Sequence, residues 1–181
     1  LEVDPEDTAA RINLALAYVR AKQFDEADRV VQDVLAHHAD DLSDYCSACL
    51  LKARGEISAS RKNYASAVAD FQKAIELAPE AKDTWLRLRY LFALAKLGDA
   101  QQFERGLAFC EKYSIPEFAV HRNKVDALRA YVLSRNGADA EAKAVVENWR
   151  NDANGRKFAA EYWSAVPGGD DVVETWNRLL K

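Results

Sequence analysis

An aromatic residue three positions ahead of a small one recurs along this chain at nearly constant spacing. Phe24-x-x-Ala27 is followed by Tyr64-x-x-Ala67 and then by Phe103-x-x-Gly106. Ala27 and Ala67 stand 40 residues apart, Ala67 and Gly106 39 apart. Each phrase opens a stretch whose apolar residues fall three and four apart, the spacing that gathers them on one face of a helix. One helical hairpin is therefore written several times. Such a unit can bury its apolar face only against its neighbours, so the chain has to fold by stacking.

The rest of the composition agrees. Only 7 Gly and 4 Pro occur in 181 residues, which favours long helices over a sheet with many turns. With 49% hydrophobic and 30% charged residues the chain is of the folded, soluble type. No apolar run approaches the ~18–20 residues of a membrane-spanning helix. The net charge of −4 argues against a nucleic-acid binder. Three cysteines cannot all pair within one chain, which leans towards a reducing compartment. The sequence opens Leu1-Glu2-Val3 and holds no Met, so it is expected to be a piece of a longer protein with any targeting signal outside it.

Four hairpins can be read. The first has a helix through Ile12, Leu14, Ala15, Tyr18 and Val19, capped by Asp7 or Thr8. A turn at Ala21-Lys22-Gln23 leads into a second helix with Phe24, Ala27, Val30, Val31, Val34 and Leu35. The second runs from about Leu42 to Ser60, with Tyr45, Cys49, Leu50, Ala53 and Ile57 inward, and then from Tyr64 to Ala78. The third opens on Trp85, Leu88 and Phe92 and breaks at Gly98-Asp99. It returns through Phe103, Gly106, Cys110 and Tyr113, and Pro116 ends it. The fourth, Glu117–Arg135 and then Ala142, Val145, Val146 and Trp149, turns at Asn136-Gly137. Beyond Asn154-Gly155 lie a short aromatic helix with Phe158, Tyr162 and Trp163, a break at Pro167-Gly168-Gly169, and a last helix capped by Asp170 or Asp171.

Leu14, Ala15, Tyr18, Phe24, Ala27, Val31 and Val34 closely resemble the tetratricopeptide repeat, a helix–turn–helix unit of about 34 residues. Phe71, Ala74 and Pro79 match its pattern in the second hairpin, and Trp85, Leu88 and Phe92 in the third. Ala39 departs from the family's closing Pro, and Arg89 stands where the family prefers a small residue. The resemblance implies an all-α fold: an α-solenoid with repeats at about 8–41, 42–81, 82–116 and 117–155, stacked as a right-handed superhelix. Residues 156–181 would form a C-terminal capping pair.

Charge follows the hairpins. The first-helix segments 8–22, 42–62, 82–97 and 117–136 carry +3, +2, +3 and +2. The second-helix segments 24–37, 64–78, 101–113 and 138–150 carry −3, −1, 0 and −1. In the family the first helices line the concave surface where ligands lie. The resemblance therefore implies a basic groove for an acidic peptide or partner segment, with Arg20, Arg54, Arg87, Tyr90, Arg122 and Arg129 as candidate partner-binding residues. A groove of one sign draws the opposite charge, and Arg grips carboxylates in pairs of bonds. The plainer reading stays open beside it: Arg and Lys also populate solvated helix faces and pair with neighbouring acids. The subclass that clamps chaperone C-termini needs Lys and Asn where this chain has Ile12 and Leu16, which excludes it.

Nothing points to chemistry. Cys46-x-x-Cys49 is read as mid-helix packing, and no second pair completes a zinc site. Adjacent His37 and His38 diverge on a helix, and His121 has no carboxylate or nucleophile near it in sequence. Phosphate-loop, G-x-S-x-G and H-E-x-x-H motifs do not occur. The expectation is a non-enzymatic interaction scaffold that needs no cofactor or metal. Its bacterial-looking wording would suit envelope assembly, secretion or exopolysaccharide export, in the cytoplasm or the periplasm. An acidic polysaccharide ligand, an accessory array on an enzyme outside the segment, and a self-assembly module are the alternatives.

Overall fold

The computed structural model describes residues 7–38, 42–81, 83–112 and 121–181. Among them are ten α-helices and no strand: α1 Thr8–Arg20, α2 Phe24–His38, α3 Asp44–Ser60, α4 Tyr64–Leu77, α5 Thr84–Leu97, α6 Ala100–Lys112, α7 Arg122–Arg135, α8 Asp139–Glu147, α9 Ala153–Ala165 and α10 Asp170–Leu179. A 3-10 turn, Pro79–Ala81, follows α4. Successive helices pack in pairs. The chain divides into two compact units, Leu1–Ala81 and Lys82–Lys181.

In the first unit α1 packs on α2, α3 on both, and α4 on α3. Asp7 caps α1, its Oδ1 accepting from the Ala10 amide at 2.9 Å, which satisfies one of the open N–H groups of the first turn. The core holds Ile12 and Ala15 of α1, Ala27, Val31 and Val34 of α2, and Leu50, Ala53 and Ile57 of α3. These are the stripes that the three-and-four spacing marks. Tyr45 departs from its expected inward place and is 64% exposed. Helix α3 begins two residues later than about Leu42: Ser43 is the cap, its Oγ accepting from the Cys46 amide, and Tyr45 lies in the first turn. Cys46 is thus a first-turn residue rather than a mid-helix one.

The two turns of this unit are built alike. Lys22 and Lys62 both adopt a left-handed backbone, φ 59° and 61°. In each turn the next amide, of Gln23 or Asn63, donates back to the carbonyl of Tyr18 or Ser58 at 2.9 Å. This is the closure that usually places glycine at the left-handed position. Gly98 and Gly137 do take that position after α5 and α7, at φ 85° and 78°. With Gly168 at φ 76° between α9 and α10, one left-handed residue per helix pair is a repeat feature that composition conceals, because two of the five are lysines.

In the second unit α7 touches α5, α6, α8, α9 and α10. Its run Asn123–Leu128 is buried, as is Leu86–Ala95 of α5. Polar side chains inside this packing find partners. Asn123 donates to the Gly155 carbonyl at 2.7 Å, and the Trp163 indole N–H to the Lys124 carbonyl at 3.1 Å. Phe92 and Trp163 stack face to face with centroids 5.4 Å apart. The return helix α8 stops at Glu147; Trp149 lies in the turn after it and donates to Asp126 at 2.9 Å.

Residues α9 and α10 pack on α7 as well as on each other. Asp170 and Asp171 lie in the first turn of α10, and its N-cap is Gly169 rather than either acid. Asp171 instead accepts from Lys96 Nζ of α5 at 2.6 Å and from the Tyr131 hydroxyl of α7 at 2.8 Å. Burial works against its charge, but the Lys96 and Tyr131 hydrogen bonds outweigh it and hold the carboxyl below its usual range. Tyr113, Pro116 and the start of the fourth hairpin at Glu117 lie outside the described residues.

Candidate functional site

Helix α3 carries Ser47, Leu50, Leu51, Arg54, Ile57 and Ser58, and its C-cap Arg61 continues them, at three- and one-residue steps in a broad stripe along one side. Two depressions lie along it. An apolar one of about 180 Å³ is lined by Leu35, Leu42, Leu50 and Leu51, with Ser47 and Arg54 at its edge. A polar one of about 400 Å³ opens between α2 and α4, with Ile57 and Ser58 of α3 and Asp28, Gln32, Ser66 and Asp70 around it. Arg54 borders both.

Acids of the flanking helices hold the arginines of this stripe. Arg54 Nε donates to Asp70 Oδ2 at 2.9 Å and Nη2 to Oδ1 at 2.6 Å, a bidentate pair from α3 to α4. That hydrogen bonding raises the guanidinium's already high pKa. Asp70 is 10% exposed, Arg54 39%. Arg61 reaches back to α2, donating to Asp28 at 2.6 Å and Asp25 at 3.0 Å. Arg54 Nη1 takes no acceptor among the described residues.

The six sequence candidates fall into three situations. Arg20 ends α1, is exposed, and forms no ion pair among the described residues. Arg54, Arg122 and Arg129 are held by acids: Arg122 by Asp126 one turn on at 3.3 Å, and Arg129 by Glu104 of α6 through two bonds of 2.7 and 2.9 Å. Arg87 and Tyr90 are buried, 1% and 5% exposed, and lie within the packing rather than on its surface. Arg87 Nη1 donates to the Asp83 carbonyl at 3.1 Å, and Tyr90 meets Phe109 edge to face at 5.8 Å. Arg20 and Arg54 belong to the first unit and the other four to the second.

Sequence reasoning did not single out Arg61, Asp28, Asp70 or Leu51. Their signal was present: an Arg or apolar residue every three or four positions of α3, opposite acids on α2 and α4. The charge contrast between first and second helices is used inside each unit. Arg11 of α1 with Asp33 of α2, Arg54 with Asp70, Arg61 with Asp25 and Asp28, and Arg129 with Glu104 all join a first helix to a second one.

Residues 1–49 match the family model of the tetratricopeptide repeat. The N-terminal hairpin is similar to the tetratricopeptide repeat. The match covers α1, α2 and the first turns of α3, and the helices that follow in packed pairs have the same all-helical character. The tetratricopeptide repeat supports a protein–protein interaction scaffold in general. No curated protein and no solved structure matches the chain. Among the described residues no helix is long and apolar enough to cross a membrane, and no three His, Cys, Asp or Glu side chains gather as metal ligands.

Proposed function

We propose that this chain is a non-enzymatic interaction scaffold whose first unit holds a partner peptide along α3. The bound segment would set one bulky apolar side chain in the cavity between Leu35, Leu42, Leu50 and Leu51. At about 180 Å³ that cavity exceeds the ~150 Å³ that accepts a benzene ring. Next to it the segment would place a carboxylate on Arg54. The observation that carries this reading is Arg54 itself. It borders both depressions, Asp70 already fixes its orientation, and its Nη1 donors remain available. A pre-oriented guanidinium loses less freedom on binding than a mobile one. Aligned beside an apolar anchor, it gives the hydrophobic-plus-charged pairing common at binding hot spots.

The partner favoured is therefore a peptide with an acidic residue close to a large apolar one. An envelope, secretion or export role in a bacterium fits such a scaffold on its resemblance alone. Selecting peptides from a displayed random library against the chain tests the proposal, with affinities then measured by calorimetry. Selected peptides should share an acidic residue beside Leu, Phe or Trp, and should lose binding to both Leu51→Glu and Arg54→Glu. Peptides that bind both variants as well as the parent chain would sink the reading.

A further inference from the structure

The second unit contains a lysine in unusual surroundings. Lys124 is 8% exposed, in the first turn of α7. That end of a helix disfavours a cation, because the peptide dipoles present their positive pole there. No carboxylate pairs with it among the described residues. Its Nζ meets instead Nδ1 of His121 at 3.3 Å, and lies 5.6 Å from the centroid of the Tyr162 ring. Trp85 closes the cluster, 5.0 Å from the His121 ring and stacked on Tyr162 at 5.2 Å. The neighbouring Arg122 is exposed and bonded to Asp126.

Two cations cannot share a 3.3 Å contact at low cost, so one of the pair has to be neutral. Burial pushes the Lys124 amine down from the ordinary lysine value, and burial together with Lys124 pushes His121 down. A buried lysine with no carboxylate partner among the described residues and a ring nitrogen at its amine is the setting in which an amine becomes a nucleophile.

We propose that Lys124 is the reactive amine of this chain and a site of modification by a small activated acyl group. The neutral ε-amine attacks the acyl carbon and the C–N bond forms. The C–O bond of an acyl phosphate, or the C–S bond of a thioester, breaks, and the leaving group departs with the electron pair. The surplus proton on nitrogen passes to His121 Nδ1 and on to water. The product amide is neutral and keeps one N–H to donate to His121, so acylation relieves the buried charge without losing the hydrogen bond. The low exposure of Lys124 limits the acyl group to a small one, acetyl being the simplest.

The intact chain is treated with a limiting amount of acetyl phosphate at neutral pH, and in a parallel arm with acetyl-coenzyme A. Site-by-site acetylation is then followed over time by peptide mass spectrometry. Lys124 is expected to acetylate several-fold faster than the exposed Lys22, Lys62 and Lys157 in at least one arm, and the faster arm identifies the donor. The lead should shrink at alkaline pH, where the other amines also lose their protons. His121→Gln should slow Lys124 and leave the exposed lysines unchanged. A Lys124 rate at or below that of the exposed lysines in both arms overturns the proposal, as does a lead that survives His121→Gln undiminished.

Discussion

Gly55 faces the ring of Phe71 so closely that a Cβ on it would stand 2.5 Å from Cε1 and 2.7 Å from Cδ1. The ring is fully buried and has nowhere to go. Gly55→Ala should therefore destabilise the chain by up to about 2 kcal/mol, because overpacking of ~1–3 kcal/mol opposes the ~1 kcal/mol gained in helix propensity. Urea unfolding monitored by circular dichroism checks this. Phe71→Leu in the same chain should recover part of the loss; a fully additive double variant would count against the contact.

The left-handed lysines leave stability unused. Lys62→Gly should stabilise by about 0.5–1 kcal/mol, the smaller part of the left-handed penalty that survives the extra freedom glycine gives the unfolded chain. Gly137→Lys should lose a similar amount. Paired denaturant titrations of the two variants would show opposite signs.

The Arg54–Asp70 pair can be weighed by a double-mutant cycle. Arg54→Ala, Asp70→Asn and the double variant should give a coupling of about 1–2 kcal/mol, below the upper range for charge-assisted bonds because the guanidinium is partly open to solvent. Half-molar salt should reduce it. A coupling near zero would mean the pair is ornamental.

Cys110 is fully buried, and burial pushes its thiol up to about 12. In the native chain at pH 8 it should stay unreactive to a thiol reagent, while the half-buried Cys46 and Cys49 are reached first. All three should react in denaturant. The folded value lies above the unfolded one of about 8.5. The stabilisation is thus complete below that pH and is lost as pH rises towards 12. Cys110→Ala should flatten that part of the alkaline limb.

Asp171 behaves in the opposite sense. Its folded value lies below its unfolded one, so its contribution is present above about pH 4 and is lost as pH falls through the folded value. Lys96→Ala should move the acid unfolding limb of the chain to higher pH. Tyr131→Phe should cost about 1 kcal/mol near neutrality, the price of one shared hydroxyl.

Much of the fold was legible in the sequence because stacking hairpins obey one short-range rule. Ile12, Ala27, Val31, Leu50 and Ile57 are buried where spacing alone places them. Exceptions came from two sources. Helix α3 begins at Asp44 behind Ser43 rather than near Leu42, so Tyr45 and Cys46 lie in its first turn, where Tyr45 is exposed. The all-round packing of α5 and α7 is a tertiary fact: their burial depends on helices far along the chain, so an amphipathic count gives Arg87 and Tyr90 an outer face they do not have. For the candidate site the arginines and the acids of the neighbouring helices were both visible in sequence, but which acid meets which arginine was not. Asp70 is 16 residues from Arg54, and Asp25 is 36 from Arg61.

The alternation of basic first helices with acidic second ones has a consequence for how the chain finds its order. Similar hairpins risk docking on the wrong sibling, since their apolar stripes are nearly interchangeable. Arg54 with Asp70, Arg61 with Asp25 and Asp28, and Arg129 with Glu104 each tie a basic first helix to an acid of a second one, a pairing that a wrongly docked sibling would leave unmade. The ion pairs thus favour the native order of helices over a mis-stacked one.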